Sequence, residues 1–582
     1  MPADTIPARL FANAARIGDS PAWYTKADGA WAPRPWRDVA GEIRRATRAL
    51  IALGLQPGHT VCILGFNRPE WVAMDVAAMC AGGVPAGIYT TCSSNEVAYI
   101  LRHAESRFVL LENADQLAKV EKERASLPAL EHLVMMRGAP ALPGTLTWDE
   151  FLAKGDAVAD AEVDARVAAL LDDQLATLIY TSGTTGPPKA VMLSHRNLAW
   201  TAAAAKGIVD LRADDCVLSY LPLSHIAEQM FTIHAPITVG SAVYFAEALE
   251  LVPDNLKEVQ PTIFFGVPRI WEKFHAGITN KLRDATGVKA KLVAWAMDVG
   301  KRVAALKREG KPVTGWLAVQ HQFADGVIYK KLKPAIGLGR ARICVSGAAP
   351  IAREVLEFFG GLDVHVLEVY GQSEDSGPTS FNLPGKTKLG TVGPPIPGVE
   401  VKLAEDGEVL VRGPNVFLGY YKDPVATAET LKDGWLCSGD LGAFDEQGFL
   451  SIVGRKKEII ITAGGKNIAP KNIEEALKSH PLVGEAVVIG DRRPYLVALL
   501  TLEPDALARL GGAPGDASVQ AELQKAVDAA NELFARVEHV RKFAVLPAPF
   551  SVDGGELTPS LKIKRRVVAQ KYEREIEGLY TE

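Results

Sequence analysis

The stretch YTSGTTGPPKAVMLSH, residues 180–195, decides how the rest of the chain is interpreted. It follows the strand-like run LATLIYT (175–181) and precedes a helix-like segment from Arg196 onward, so we predict that it forms a connecting loop. Gly183 and Gly186 let backbone N–H groups approach phosphate oxygens closely. Hydroxyls and one cation complete the donors: Thr181, Ser182, Thr184, Thr185 and Lys189. Because the spacing differs from that of a Walker loop, the stretch predicts a phosphate-binding loop of another kind.

Short apolar runs rich in β-branched residues alternate with Ala- and Leu-rich helical stretches on both sides of this loop. Clear examples are HTVCILGF (59–66), SRFVLLE (106–112), PTIFFGV (261–267), ARICVSG (341–347) and VHVLEVYG (364–371). This alternation predicts an α/β fold with buried, largely parallel strands.

The pattern changes toward the C-terminus. From Val392 to Phe444, Gly- and Pro-rich turns separate short strands, which predicts a small β-barrel-like element. After GRKKE (454–458) a compact α+β segment begins. A chain of 582 residues exceeds one compact domain. We therefore predict a large N-terminal domain (residues 1–454) of α/β subdomains plus the β-barrel-like element, and a small α+β C-terminal domain (residues 455–582).

Composition narrows the class of protein. Hydrophobic residues make up 48% of the chain and charged residues 23%, as in globular proteins. The net charge of −5 and pI of 6.2 do not favour a nucleic-acid partner. Residues 71–90 contain Asp75 and the turn signal GGVP (82–85), which suits a buried helix, turn and strand better than a membrane span.

Six scattered cysteines lack the spacing of a disulfide framework or a zinc site: Cys62, Cys80, Cys92, Cys216, Cys344 and Cys437. Single thiols fit a reducing compartment, so we expect a cytoplasmic protein.

Residues 281–340 differ from the rest of the chain in charge, with 13 Lys and Arg against 4 Asp and Glu. Apolar residues recur there at helical spacing: Leu292, Trp295, Ala296, Val299, Val303 and Leu306. The pattern predicts an amphipathic helix with a basic face. It leaves open two interpretations: a helix packed by its apolar stripe, and a surface for the phosphates of a ligand or for peripheral contact with anionic lipid.

Six motifs in the same order resemble those of the adenylate-forming superfamily, which includes acyl-CoA synthetases, peptide-synthetase adenylation domains and luciferases. The first is the loop at 180–195. The second, SGAAP (346–350), resembles the wall of the adenine pocket and implies roles for Gly347, Ala348 and Ala349. The third, VYGQSEDSGP (369–378), implies nucleotide contacts from Tyr370, Gly371, Gln372 and Ser373, and a magnesium ligand in Glu374 beside Thr185.

The other three motifs lie near and within the C-terminal domain. GWLCSGDLG (434–442) resembles the ribose-binding stretch and implies that Asp440 accepts hydrogen bonds from both ribose hydroxyls. GRKKEIIITAGGKNIAP (454–470) implies a ribose contact from Arg455, a hinge at Lys457, and a pantetheine path beside Gly464 and Gly465. In LTPSLKIKRR (557–566), Lys562 aligns with the catalytic lysine, and Leu561 replaces the family's common glycine.

The resemblance implies two half-reactions. A carboxylate attacks the α-phosphate of ATP to give acyl-AMP and pyrophosphate, and the thiol of coenzyme A then displaces AMP. Lys189, Lys562 and Mg²⁺ would offset the crowding of negative charge. The family's C-terminal domain is mobile and rotates between the two steps. No protein nucleophile is needed.

The segments LPLSHIAEQ (221–229), NRPEW (67–71) and GVPRIWEKF (266–274) resemble the long-chain acyl-CoA synthetase branch, closest to its bubblegum-type members. His225 would lie near the thioester-forming centre, and the Asp that binds an amino-acid substrate is missing. The resemblance implies a fatty acid:CoA ligase. It leaves open a fatty acyl-AMP ligase that loads a carrier protein, and a CoA ligase for medium-chain or aromatic acids.

Overall fold

The computed structural model describes residues 3–181, 187–283 and 286–581. Within them the largest sheet is eight-stranded. Its strands, in spatial order, are Gly419–Tyr420, Lys189–Ser194, Leu175–Thr181, Val84–Ile88, Thr60–Leu64, Phe108–Leu111, His132–Met135 and Leu146–Thr147. The strands from Leu175–Thr181 to Leu146–Thr147 run parallel, and the other two are antiparallel to their neighbours.

Both faces of this sheet are buried. In the strand Thr60–Leu64, Val61 and Ile63 belong to one hydrophobic core, whereas Cys62 and Leu64 belong to another. Helices on the first face are Ile6–Ile17, Trp36–Ala52, Pro69–Cys80, Trp148–Lys154 and Asp160–Ala168; on the second they are Ser94–His103 and Ala114–Lys122. Burial on both faces explains why the strand reads as a continuous apolar run.

Two further mixed sheets complete the α/β part in the described residues. One contains Cys216–Ser219, Ala242–Phe245, Pro21–Ala27 and Ala30–Pro35; the other contains Ile263–Gly266, Ile343–Ser346, Val366–Tyr370 and Ser380–Phe381. Their helices and helical turns are His195–Val209, Ile226–Gln229, Met230–His234, Ala235–Val239, Val252–Val259, Pro268–Arg283, Gly287–Arg308, Gly315–Ala324, Asp325–Tyr329, Lys330–Ala335 and Arg353–Gly361.

An antiparallel sheet follows, a half-barrel that stays open. In the described chain it contains Glu400–Leu403, Glu408–Arg412, Trp435–Phe444, Leu431–Lys432 and Leu450–Arg455, with the helix Pro424–Thr430 beside it. Its last strand ends at Arg455, and the 3₁₀ turn Lys456–Glu458 continues the chain.

The C-terminal part has hydrophobic cores of its own. Its strands are Ile460–Ile461, Asn467–Ile468, Val483–Ile489, Leu496–Leu502 and Val540–Val545, and its helices are Pro470–Lys478, Pro504–Leu510, Ala517–Asn531, Arg565–Lys571 and Glu573–Tyr580. The predicted fold class is thus confirmed: α/β subdomains, a half-barrel and a small α+β domain. The exact boundary at residues 454 and 455 stays a prediction. Across the described ranges, no helix is both long and apolar enough to span a bilayer.

Candidate functional site

The sequence 175–194 folds as a hairpin that frames the phosphate loop. Leu175–Thr181 and Lys189–Ser194 pair antiparallel, with Thr181 opposite Lys189. The prediction of a loop up to residue 195 is wrong for KAVMLS (189–194), which forms a strand with four of its six residues buried. The predicted phosphate ligands Ser182, Gly183, Thr184, Thr185 and Gly186 lie outside the described residues.

Lys189 begins its strand with an exposed side chain, and Tyr420 links it to Glu374. The Lys189 Nζ lies 4.7 Å from the centre of the Tyr420 ring. The Tyr420 hydroxyl donates a 2.8 Å hydrogen bond to Glu374 Oε1. Burial and the Glu374 charge raise the pKa of Tyr420, so it remains a donor. Tyr420 therefore contacts both the predicted cation, Lys189, and the predicted carboxylate, Glu374.

A tight turn presents Glu374 after the strand Val366–Tyr370. Residues Ser373–Asp375 form a 3₁₀ turn, and the buried Asp375 carboxylate accepts a 2.7 Å hydrogen bond from the backbone N–H of Gln372. Gly371 is required here, because a Cβ on it would lie 1.6 Å from the carbonyl oxygen of Gly377. Ser373 is buried.

Gly347, Ala348 and Ala349 follow the neighbouring strand Ile343–Ser346. A Cβ on Gly347 would lie 2.5 Å from Val369 Cγ1, so the glycine lets the two strand ends approach each other. Ala348 has a φ of +71° and, like Ala349, is exposed. This exposed ledge of small residues beside Tyr370 suits a flat base.

Asp440 is the centre of a polar network formed by two pieces of chain. It lies opposite Arg455 in the half-barrel, and its Oδ1 is 3.0 Å from Arg455 Nε. The Tyr370 hydroxyl donates to Asp440 Oδ2 at 2.7 Å, and Gln372 Nε2 donates to the Ser438 carbonyl oxygen at 3.2 Å. Burial raises the pKa of Asp440 and opposes the effect of Arg455. For Arg455, burial lowers the pKa, but Asp440 and Glu458 outweigh it and the net direction is upward.

Lys562 enters this network from the C-terminal domain. Its side chain faces the solvent of the cleft, but crowding by surrounding protein and the charge of Arg455 lower its pKa, while Glu374 and Asp440 act in the opposite direction. The fold therefore brings Lys562 near enough to Arg455, Asp440 and Glu374 for their charges to interact. These are four of the residues that the motifs single out.

The loop that carries Lys562 is fastened to the N-terminal domain. The Thr91 hydroxyl donates a 2.6 Å hydrogen bond to the carbonyl oxygen of Pro559. Within the loop, the backbone N–H of Lys562 donates to Thr558 Oγ1 at 3.0 Å. Leu561 has a φ of +60°, a left-handed conformation that favours glycine. The glycine common in the family suits this backbone, and the leucine here adopts it at a cost.

His225 caps the short helix Ile226–Gln229, where its Nδ1 accepts a 3.2 Å hydrogen bond from the backbone N–H of Ala227. Burial, and then the charge of Lys562, lower the pKa of His225 to about 4, so the imidazole is neutral at pH 7. His225 is thus coupled to the same lysine.

Three predicted residues lie apart from this cluster. Lys457 lies in the 3₁₀ turn between the half-barrel and the C-terminal domain, and its role as a hinge stays a prediction. Gly464 and Gly465 form the exposed tip of the hairpin Ile460–Ile468, and no described atom lies within 4 Å of a Cβ built on Gly465. The structure therefore holds the lysine at the site and leaves the glycine loop outside it.

Sequence reasoning missed Tyr420 and Thr91. Tyr420 lies in GYYKDP (419–424), where a Gly followed by two tyrosines and an Asp-Pro turn is an available signal. Its partner Glu374 is 46 residues away, so the sequence does not reveal the pairing. Thr91 has no local signal of this kind.

Comparisons with known proteins give the family of the chain. Residues 10–421 match the family described as AMP-binding enzyme, and residues 457–582 match the AMP-binding enzyme C-terminal domain. The chain is similar to long-chain-fatty-acid–CoA ligase ACSBG2 of Xenopus laevis, with 38% identity over 97% of this chain and 82% of the relative. It is 37% identical to long-chain-fatty-acid–CoA ligase FadD15 of Mycobacterium tuberculosis, over 99% of this chain and 97% of that protein.

Solved structures share the fold. The anthranilate CoA ligase AuaEII in complex with anthranoyl-AMP superposes with a TM-score of 0.75 at 22% identity, covering 98% of both chains. The adenylation domain of carboxylic acid reductase from Segniliparus rugosus, in complex with AMP and a carboxylic acid, gives a TM-score of 0.76 at 22% identity, over 99% of this chain and 94% of that one.

Proposed function

The chain belongs to the AMP-binding enzyme family, and on that premise we propose that it is an ATP-dependent ligase that joins a long-chain fatty acid to coenzyme A through an acyl-adenylate. The observation that carries the proposal is the docking of the Lys562 loop on the N-terminal domain, where the charge of Lys562 interacts with Glu374 and Asp440. These two carboxylates are themselves held by Tyr420 and Tyr370. Relatives named long-chain-fatty-acid–CoA ligases at 37–38% identity support the choice of acid.

In the first half-reaction the fatty carboxylate attacks the α-phosphate of ATP, and pyrophosphate leaves. A carboxylate approaching a polyanion meets repulsion, so fixed positive charge near the reacting atoms lowers the barrier. Lys562 and Lys189 supply that charge. Asp440, oriented by Arg455 and Tyr370, accepts hydrogen bonds from the ribose hydroxyls. The reaction depends mainly on positioning and electrostatics.

Glu374 fits a magnesium ion shared with the triphosphate. In the described chain, no cluster of three or more His, Cys, Asp or Glu side chains forms a metal site by itself. Mg²⁺ is commonly held by one or two carboxylates together with substrate phosphates, and Glu374 offers one carboxylate, positioned by Tyr420. Together with the hydroxyl of Thr185, Glu374 would hold the ion, which would neutralise phosphate charge.

In the second half-reaction the coenzyme A thiol attacks the acyl carbon and AMP leaves. We propose that the C-terminal domain turns about Lys457, withdraws Lys562 and presents Gly464 and Gly465 to the pantetheine arm. His225 is neutral at pH 7 and lies near enough to Lys562 for the lysine charge to lower the histidine pKa; once Lys562 is withdrawn, His225 would face the thioester-forming centre.

The segment 221–229 supports an uncharged substrate tail. Its one carboxyl, Glu228, is buried and is engaged by Asn67, Ser219 and Thr232 at 2.7–3.1 Å. Burial raises its pKa to about 8, so the group is largely neutral at pH 7. It therefore offers no charge to a substrate ammonium group, which argues against amino acids.

The experiment measures release of AMP and pyrophosphate with palmitate, ATP and Mg²⁺, with and without coenzyme A. AMP release that depends on coenzyme A, with palmitoyl-CoA as product, is the expected result. Pyrophosphate release without turnover on coenzyme A would point to a carrier-protein ligase. Activity only with shorter or aromatic acids would overturn the long-chain assignment. We further propose a cytoplasmic enzyme that contacts membranes peripherally through residues 281–340.

A further inference from the structure

The helix Gly315–Ala324 turns three large apolar side chains toward solvent. Trp316, Val319 and Phe323 are 73%, 53% and 58% exposed. Their spacing of three and four residues places them on one face of the helix. Exposed apolar side chains that adjoin one another mark interaction surfaces, because leaving them in water is unfavourable.

The opposite face of this helix is fixed by packing. Leu317 and Ala324 belong to a small core with Val299, Val303 and Tyr329, the first two from the helix Gly287–Arg308. The apolar stripe seen in the sequence at 292–306 is therefore largely used inside the protein. The outward direction of Trp316 and Phe323 is set by this core.

Cations border the exposed apolar face. The Phe323 ring lies 5.8 Å from that of Trp295, which shares a helical stripe with Lys291 and Arg302. Arg302 also donates a 3.2 Å hydrogen bond to Gln320 on the exposed helix.

Other cations of the region differ in role. Lys307 and Lys333 both bind Asp363 at 2.7 Å and hold the fold together. Lys289, Lys301 and Lys331 are exposed at the surface, so the local excess of positive charge remains available to a partner.

We propose that Trp316, Val319 and Phe323, with the bordering cations, form a lipid-facing surface that docks on anionic bilayers. Aromatic and aliphatic side chains on one helix face bury themselves at the boundary between headgroups and acyl chains, and flanking Lys and Arg side chains attract lipid phosphates. Because the cations of this region attract negative charge, we expect the partner to be an anionic membrane. Long-chain fatty acids dissolve in bilayers, so this surface would bring the enzyme to its substrate. That consequence rests on the proposed function.

The test is co-sedimentation of the full chain, without substrates, with vesicles of phosphatidylcholine alone or mixed with phosphatidylglycerol. We expect binding to the mixed vesicles and weaker binding to neutral ones. The double variant Trp316→Glu/Phe323→Glu should bind the mixed vesicles about tenfold more weakly. Lys289→Glu/Lys291→Glu should weaken binding to the mixed vesicles only. Leu533→Glu, at an exposed apolar residue of the C-terminal domain, is the matched control and should bind as the parent does.

Two results would overturn the proposal: no binding of the parent to anionic vesicles, or equal binding by the Trp316/Phe323 variant. A parent that is an oligomer, dissociates on the same substitutions and ignores vesicles would make the face an interface with a second copy. Because no turnover is measured, failure of the ligase assay and failure of this proposal are separate outcomes.

Discussion

At the scale of single residues, Lys562 is the group on which the first half-reaction depends most. It reaches the cleft only because its loop docks on the N-terminal domain. We predict that Lys562→Ala slows adenylate formation by about 10²-fold, the effect of losing one charge-stabilising group. Thioester formation from supplied acyl-AMP should be largely retained. Pyrophosphate release and single-turnover thioester formation measure the two steps. Arg566→Ala, at an exposed cation of the same run, is the control, and equal loss in both steps contradicts the role.

Tyr420 tests how Glu374 is positioned. Tyr420→Phe keeps the ring near Lys189 but removes the hydroxyl that donates to Glu374. A hydrogen bond to a charged group contributes about 1.5 kcal/mol, so we expect about a tenfold loss in kcat/KM for MgATP. Initial rates measured at varied MgATP and at varied palmitate distinguish a loss of kcat/KM for MgATP from a loss of kcat/KM for palmitate. An unchanged dependence on MgATP would show that Glu374 does not need this support.

The left-handed backbone of Leu561 costs conformational free energy that a glycine at this position would not. Its side chain is 55% exposed, and its left-handed backbone is unfavourable for residues with a Cβ. Leu561→Gly should stabilise the C-terminal domain by about 0.5–1 kcal/mol, measured by urea unfolding. Leu533→Gly is the control: its side chain is also exposed but its φ is not positive, so it should destabilise. A loss of stability in Leu561→Gly would mean that Leu561 makes contacts worth more than the strain.

At the scale of elements, the helix Pro69–Cys80 buries a carboxyl in the core. Asp75 is 1% exposed, and within the described chain neither carboxyl oxygen has a hydrogen-bond partner. Burial raises its pKa to about 8, so the folded protein keeps a proton that the unfolded chain, with a pKa of about 3.9, has lost. This linkage makes the free energy of unfolding fall as pH rises from about 4 to about 8.

Asp75→Asn should remove that pH dependence, since an amide does not titrate. The stability of the variant relative to the parent should rise by up to about 1.4 kcal/mol per pH unit between pH 5 and pH 8 and level off above it. Denaturant unfolding at several pH values measures the difference. A difference that stays constant with pH would show that Asp75 is not protonated in the fold.

At the scale of the whole molecule, two domains with separate cores meet across the site, and Lys457 lies in the turn between them. Lys457→Pro fixes φ and removes a backbone donor, so we expect the rotation between half-reactions to slow. Pyrophosphate release in the first turnover should remain, whereas thioester formation should fall about tenfold or more. Lys457→Ala, which keeps backbone freedom, should retain both steps. An equal loss of thioester formation in Lys457→Ala would show that the lysine side chain, and not the rotation, is responsible.

Much of this molecule follows from the sequence alone. Buried parallel strands appear as apolar runs because both sheet faces are covered, and Val61 and Cys62 show this by belonging to opposite cores. The phosphate loop, Asp440 and Lys562 are recognisable from local motifs, since nucleotide chemistry requires particular residue types at close spacing. The strand Lys189–Ser194 is not predicted from the sequence, because the glycine-rich segment before it suggests that the loop continues.

Only the tertiary structure decided which residues support the site and which face the solvent. Tyr420 meets Glu374, and Thr91 fastens the lysine loop, through contacts between segments far apart in the chain. In the basic region, the sequence predicts one helix with an apolar stripe at 292–306, but neither the second helix, Gly315–Ala324, nor which apolar residues are buried. Packing of Leu317 and Ala324 against Val299 and Val303 determines that Trp316 and Phe323 point outward. Helical periodicity defines the faces of a helix, whereas the neighbouring elements decide which face is buried.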